Sequence, residues 1–221
     1  MMELLMLDAD ELLNPQKYQK AMEVVGEARR SKIEKMRKEE SKRLSLAAGI
    51  LLRYAFLSVN QLELYNAIEI TENGKPFLPN NEYYFSLSHS GKFAICGFAD
   101  ASIGCDIELV REKLPHTTKI FTDDEEKTFG ALDEKEKKLF FFYLWTCKES
   151  VTKWIGKGIA FPFHHFSVMT GQQVKKTIVI EEKNLFLGSF QIENYIVSLC
   201  AETPELPREI KKMDLNLILE N

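Results

Sequence analysis

Few cysteines, few tryptophans and no excess of positive charge narrow what this 221-residue chain can be. Its four cysteines, Cys96, Cys105, Cys147 and Cys200, stand 9, 42 and 53 residues apart, with no C-x-x-C pair and no closely spaced histidine. This excludes a disulfide framework and a structural zinc site, and leaves buried, reduced thiols as the expectation. His164 and His165 are adjacent, and neighbours in an extended segment point to opposite sides, so a metal shared between them is not expected. The 33 acidic residues outnumber 29 basic ones, giving a formal charge of −4 and excluding a histone-like balance. No apolar run reaches the ~20 residues of a membrane span. The longest, Leu44 to Leu57, is broken by Arg53. The first ten residues carry Glu3, Asp8 and Asp10, without the basic start or small-residue cleavage site of a secretory signal. A cytoplasmic chain without nucleic-acid or membrane partners is the resulting expectation.

What is present is a globular composition, 45% hydrophobic and 28% charged, enough to bury a core along most of the chain. Helical periodicity runs from Ser31 to Leu57, basic at its start and then apolar through Leu44, Leu46, Ala47, Ile50, Leu51 and Phe56. A second stretch runs from Glu134 to Gly156, with the glycine as its stop. Strand patterns precede the helices at Glu3–Leu7 and Ile103–Val110. Others follow at Ala67–Thr71, Tyr83–Ser88 and Phe93–Phe98, then at Thr177–Ile180, Leu185–Phe190 and Tyr195–Cys200. The order strand, helix, three strands thus occurs twice, and Phe93–Ala99 falls opposite Tyr195–Ala201 at an offset near 100 residues. The expected fold is α+β, two similar halves at 1–101 and 102–203 with a groove between them, ending in a packed tail at 204–221.

Three clusters could carry chemistry. In Ile103-Gly-Cys-Asp-Ile-Glu108, the strand period puts Asp106 and Glu108 on one face. A solvated polar face would explain them; so would a ligand site, with Gly104 on the same face leaving room for a ligand to approach the backbone. In Trp145-Thr-Cys-Lys-Glu-Ser-Val-Thr-Lys153, helical spacing aligns Trp145, Glu149 and Lys153, beside Lys148 and Thr152. An ordinary surface ion pair would read the same way, although a tryptophan is odd on a solvated stripe. Asp106, Glu108 and Glu149 together make a small set of hard oxygen ligands suited to Mg²⁺. Without the ion they should repel one another, so that Asp106→Ala or Glu149→Ala would melt higher in EDTA. The third cluster, Gly74-Lys-Pro-Phe77 with Phe85-Ser-Leu-Ser-His-Ser-Gly91, puts Lys75, Ser88, His89 and Ser90 on loops near strand ends, an environment for anionic oxygens. Arg29 to Arg43 adds eight basic residues against three acidic ones, either a solvated helix face or a second phosphate site.

In this order, Gly74-Lys-Pro76, Ser86-Leu-Ser-His-Ser-Gly91, Ile103-Gly-Cys-Asp-Ile-Glu108 and Trp145 to Lys153 with Gly156-Lys-Gly158 resemble the 4′-phosphopantetheinyl transferases of the surfactin-synthetase-activating (Sfp) type. The resemblance spans nearly the whole chain and includes that family's duplicated fold. It implies transfer of the phosphopantetheine arm of coenzyme A to a serine of an apo acyl or peptidyl carrier protein, with release of adenosine 3′,5′-bisphosphate, by a monomer. By the same analogy Asp106, Glu108 and Glu149 bind Mg²⁺, and Asp106, Glu149 and Lys153 carry the catalysis. Lys153 also reaches the pyrophosphate, Ser88 and His89 contact phosphate, and Lys75 and Pro76 flank the adenine and ribose. The family often has an arginine where this chain has Leu44, and Arg43 is the expected substitute for holding the 3′-phosphate. Docking of the carrier is implied near Lys113 and Lys119, in a segment whose Leu114, Ile120 and Phe121 could equally pack inward. A Mg²⁺-dependent phosphohydrolase of a small diphosphate and a catalytically silent carrier-binding relative are the alternatives.

Overall fold

A computed structural model describes every residue except 72–74, 80–81, 116–118, 157–160 and 221. The chain forms two compact units, Met1–Asp100 with Pro207–Asn221, and Ala101–Leu206. The first opens with strand β1 (Met2–Asp8) and a 3-10 turn, then helices α1 (Pro15–Val24), α2 (Glu27–Glu34), α3 (Glu39–Ser58) and α4 (Leu62–Asn66). The two-residue strands β2 (Glu69–Ile70) and β3 (Pro76–Phe77) follow, and then the hairpin of β4 (Tyr84–Ser90) and β5 (Phe93–Ala99). The second unit contains β6 (Ile103–Leu109), α5 (Asp123–Ala131), α6 (Glu134–Ile155), a 3-10 turn at Phe163–His165, the short strands β7 (Met169–Thr170) and β8 (Gln173–Val174), then β9 (Thr177–Ile180), β10 (Lys183–Ile192) and β11 (Tyr195–Ala201). The chain returns to the first unit with β12 (Lys211–Lys212) and α7 (Leu215–Glu220).

The repeat read from the sequence is present as topology. In one unit the sheet order is β12-β1-β5-β4, and in the other β6-β11-β10-β9. Each contains a leading strand, β1 or β6, paired antiparallel to the second strand of a hairpin, with a long helix inserted between them in sequence. The fourth strand differs. The Ala67–Thr71 pattern yields only β2, which pairs with β3 outside the sheet; the edge place beside β1 is taken by β12 in parallel. The terminal segment therefore belongs to the first unit, where Leu215 and Ile218 enter its core.

The helix expected over Ser31–Leu57 is two helices. Lys35 closes α2, and Lys38, with extended backbone, precedes α3. Four residues, Lys35 to Lys38, separate the last turn of α2, which carries Lys32, from the Glu39-Glu40 start of α3, so that each terminus bears the charge its dipole favours. From there Leu44 to Phe56 buries almost continuously against the sheet. In the second unit α6 begins at a capping box formed by Asp133 and Glu136, and ends where Gly156 takes a left-handed conformation (φ 81°) and donates its N–H to the Thr152 carbonyl. All four cysteines are free and buried, and burial pushes the Cys147 thiol up to about 11 and raises that of Cys200, as expected of inert structural thiols. Among the described residues no helix is long and apolar enough to cross a membrane.

Candidate active site

The second unit holds the densest group of sequence-selected residues. On β6, Gly104, Asp106 and Glu108 share the face turned to α6, with Asp106 opposite Ser198 of β11. Gly104 does not make room for a ligand. A Cβ there would lie 1.9 Å from the Ser150 carbonyl oxygen and 2.7 Å from the Trp154 backbone nitrogen, so the missing side chain admits the backbone of α6 itself. Gly104→Ala should therefore push helix from strand, costing at least the roughly 1–3 kcal/mol of an overpacked core. A fall in Tm together with loss of activity is the expected result; a variant with unchanged Tm would remove the glycine from this role.

Close seating of α6 lets Lys153 Nζ donate to Asp106 Oδ1 at 2.7 Å, with Asp106 buried and Lys153 mostly so. Burial would depress the Lys153 ammonium, but Asp106 and, more weakly, Glu149 outweigh it and hold it above its ordinary value. Burial pushes the Glu149 carboxyl up to about 7, with repulsion from Asp106 and Glu108 added and Lys153 opposing. The expected repulsion is present between Asp106 and Glu149, but Asp106 is also the ion-pair partner of Lys153, so removing it would relieve one charge and strand another; Glu149 is the crowded charge.

Among the described residues no three His, Cys, Asp or Glu side chains are spaced as a metal's ligand shell. The Lys153 ammonium supplies the positive charge at Asp106 instead. The donor chemistry still fits a hard divalent cation, because Asp106, Glu108 and Glu149 supply carboxylate oxygens near enough for both β6 carboxylates to act on Glu149. Of their neighbours, Trp145 is half-buried, stacked on Phe141 (6.2 Å between centroids) and edge-on to Phe163. Lys148 is fully buried and ion-paired to Glu125, away from any surface role. His164 and His165 lie in a 3-10 turn, not an extended segment, and their exposed rings approach to 4.3 Å.

The first unit places its candidates differently from expectation. Ser88, His89 and Ser90 lie within β4 and not on a loop, so Ser88 and Ser90 share one face while the exposed His89 is on the other. Lys75 and Pro76 stand at the start of β3, where the Lys75 N–H donates to Thr71 Oγ1 at 3.0 Å; Gly74 lies outside the described residues, as do Lys157 and Gly158. Arg43 faces Asp10 at 3.9 Å, and its buried Nε has no hydrogen-bond partner among the described residues. Arg30 is committed to the end of α1, donating to the carbonyls of Met22, Glu23 and Val25.

Within the basic run Arg29 to Arg43, the structure sets Arg29 apart. Its side chain lies over Gly49 of α3, burial lowers its pKa, and its charge in turn helps lower that of Lys32, itself depressed first by burial. Neither makes an ion pair among the described residues, and Arg53 also acts on the neighbouring Tyr65. Among the described residues, Arg29 and Lys32 form a patch of positive charge without an ion-paired carboxylate.

Comparison with known proteins gives the context of these residues. A family model described as "4′-phosphopantetheinyl transferase superfamily" matches residues 102–200, and one described as "4′-phosphopantetheinyl transferase, N-terminal" matches 14–99. The chain belongs to the 4′-phosphopantetheinyl transferase superfamily. It is 27% identical to the 4′-phosphopantetheinyl transferase Sfp of Bacillus subtilis strain 168, over 95% of this chain and 96% of that protein. It is also 30% identical to the 4′-phosphopantetheinyl transferase gsp of Aneurinibacillus migulanus over 65% of each chain, and 28% identical to the 4′-phosphopantetheinyl transferase AcpT of Escherichia coli K12 over 60% of this chain and 65% of that protein. The transferase is an enzyme of the family, and its α+β fold in two similar units agrees with the two matched halves.

Proposed function

We propose that this transferase moves the 4′-phosphopantetheine arm of coenzyme A to a serine hydroxyl of an apo carrier protein, with Mg²⁺ required and adenosine 3′,5′-bisphosphate released. The observation that carries this reading is the Asp106–Lys153 pair set against Glu149: charged groups for positioning and neutralisation. Attack of the serine oxygen forms a new bond to phosphorus while the diphosphate's bridging bond breaks toward the bisphosphate. Such transfers need mainly orientation and charge stabilisation. Held by Asp106, Glu108 and Glu149, Mg²⁺ would supply Lewis-acid neutralisation of the diphosphate. Lys153, one turn beyond Glu149 on α6, neutralises charge on the departing phosphate. The serine proton leaves to Glu149 or to water.

On the nucleotide side, Lys75 and Pro76 flank adenine and ribose, and Ser88 and His89 contact phosphate. For the 3′-phosphate the Arg29–Lys32 patch is better suited than Arg43, which already faces Asp10. Arg29→Ala should weaken coenzyme A, but not its dephospho form, by roughly 1.5–3 kcal/mol, the range for hydrogen bonds to charged groups. Isothermal titration with both ligands checks it, and equal losses would reassign the patch.

Exposed Lys113 and Lys119 would steer an acidic carrier, while Leu114, Ile120 and Phe121 pack against the second unit's core. Lys113→Glu with Lys119→Glu should raise the carrier KM at low salt and leave that for coenzyme A unchanged. An unchanged carrier KM would move docking elsewhere. The transferase reading itself is tested by assaying release of adenosine 3′,5′-bisphosphate from coenzyme A and Mg²⁺ with and without apo carrier. Release only with carrier is expected; equal release without it would indicate a hydrolase.

A further inference from the structure

Lys148 occupies a core position on α6, one residue before Glu149, with no exposed side-chain surface to speak of. Its Nζ donates to the Ile120 carbonyl at 2.5 Å, to Glu125 Oε2 at 2.6 Å and to the Phe163 carbonyl at 2.9 Å, and lies 5.3 Å from the centre of the Phe166 ring. Glu125 accepts in turn from the backbone N–H groups of Thr122 (3.0 Å), Val168 (2.8 Å) and Met169 (3.3 Å). All three ammonium donors and both carboxylate oxygens are used. Three separate stretches, Ile120–Glu125, Phe163–Met169 and α6, therefore converge on one ion pair.

Stability alone does not call for such a pair, since well-packed apolar residues of similar volume often serve as well or better. An apolar pair cannot fix the direction of two carbonyls and three N–H groups; an ammonium and a carboxylate can. What they fix is specific. Lys119 directly precedes the held Ile120, Phe121 packs on Phe141 of α6, and Phe163 sits edge-on to Trp145, on the same helix stripe as Glu149. We propose that Lys148 and Glu125 are positioning residues that set the carrier-docking segment at a defined place along α6, so that the carrier is presented to the site; this rests on the docking reading above.

The test compares Lys148→Met with the double variant Lys148→Met/Glu125→Leu, in which no buried charge is left alone. Both should raise the carrier KM by about tenfold or more, as small misplacements remote from the chemistry can. The kcat and the Kd for coenzyme A should stay near wild type. A folded double variant with wild-type carrier KM overturns the proposal, as does a loss confined to kcat with both KM values kept, the mark of a smaller active fraction.

Hydrogen exchange on the unaltered protein gives a readout independent of any transfer assay and of whether the variants fold. The amides of Thr122, Val168 and Met169 should exchange as slowly as the middle of α6. Rapid exchange at all three would show that the pair pins nothing, whereas slow exchange in a protein that modifies no carrier would count against the transferase reading alone.

Discussion

Asp106→Ala should lower transfer by about a thousandfold or more, at the upper end for loss of one electrostatic stabiliser. Asp106 is both a candidate metal ligand and the partner of Lys153, so its removal subtracts a ligand and leaves a largely buried ammonium without its hydrogen-bonded carboxylate. The metal-free variant should also melt lower, by the equivalent of roughly 1.5–3 kcal/mol for a hydrogen bond between charged groups. Glu149→Gln should be equally inactive yet melt higher in EDTA, because it removes the charge that burial and the two β6 carboxylates oppose. Opposite shifts in Tm with a shared loss of activity separate the two roles. Full activity of Asp106→Ala at saturating coenzyme A, or a higher Tm in EDTA, would contradict this assignment.

Lys153→Ala should lower kcat by about a hundred- to a thousandfold, the scale of a lost charge-stabilising donor, with a much smaller rise in KM for coenzyme A. The basis is placement. Lys153 is held above its ordinary pKa by Asp106, with Glu149 adding to it, so it stays charged through the physiological range, and helical spacing puts it one turn from Glu149. Charge that develops only as the bisphosphate departs is where such a group acts most. Steady-state kinetics with coenzyme A as the varied substrate checks the split. A large rise in KM with kcat kept would make Lys153 a binding residue.

The elements that carry this site were the most legible in the sequence. β6 and α6 have strong period-2 and period-3.6 patterns, and α6 ends at a glycine, so the shared face of Asp106 and Glu108 and the stripe of Glu149 and Lys153 could be read directly. Their mutual approach could not. It depends on Gly104, whose meaning as a seat for the backbone of α6 appears only when the helix is laid on the strand. The burial of Lys148 and Glu125 could not be read from the sequence, because charged residues are seldom fully buried and only tertiary packing shows the pair satisfied. The break between α2 and α3 contains no proline or glycine; its signal was the change from Lys35-Met-Arg-Lys38 to Glu39-Glu40, a charge pattern weaker than the apolar period across it. Asn14-Pro15 at the start of α1 and Thr122 with Glu125 at α5 were capping signals present in the sequence and passed over. β12 could not have been assigned, since a two-residue strand is defined by its partner β1 and not by its own residues.

The most direct measurement is the intact mass of apo carrier proteins incubated with the transferase, coenzyme A and Mg²⁺, alongside carriers whose acceptor serine is replaced by alanine. The account predicts that at least one apo carrier gains the mass of a single phosphopantetheinyl group, that the alanine carrier gains none, and that EDTA or Asp106→Ala abolishes the gain. An unmodified carrier panel with coenzyme A consumed, or modification that persists in Asp106→Ala, would contradict it.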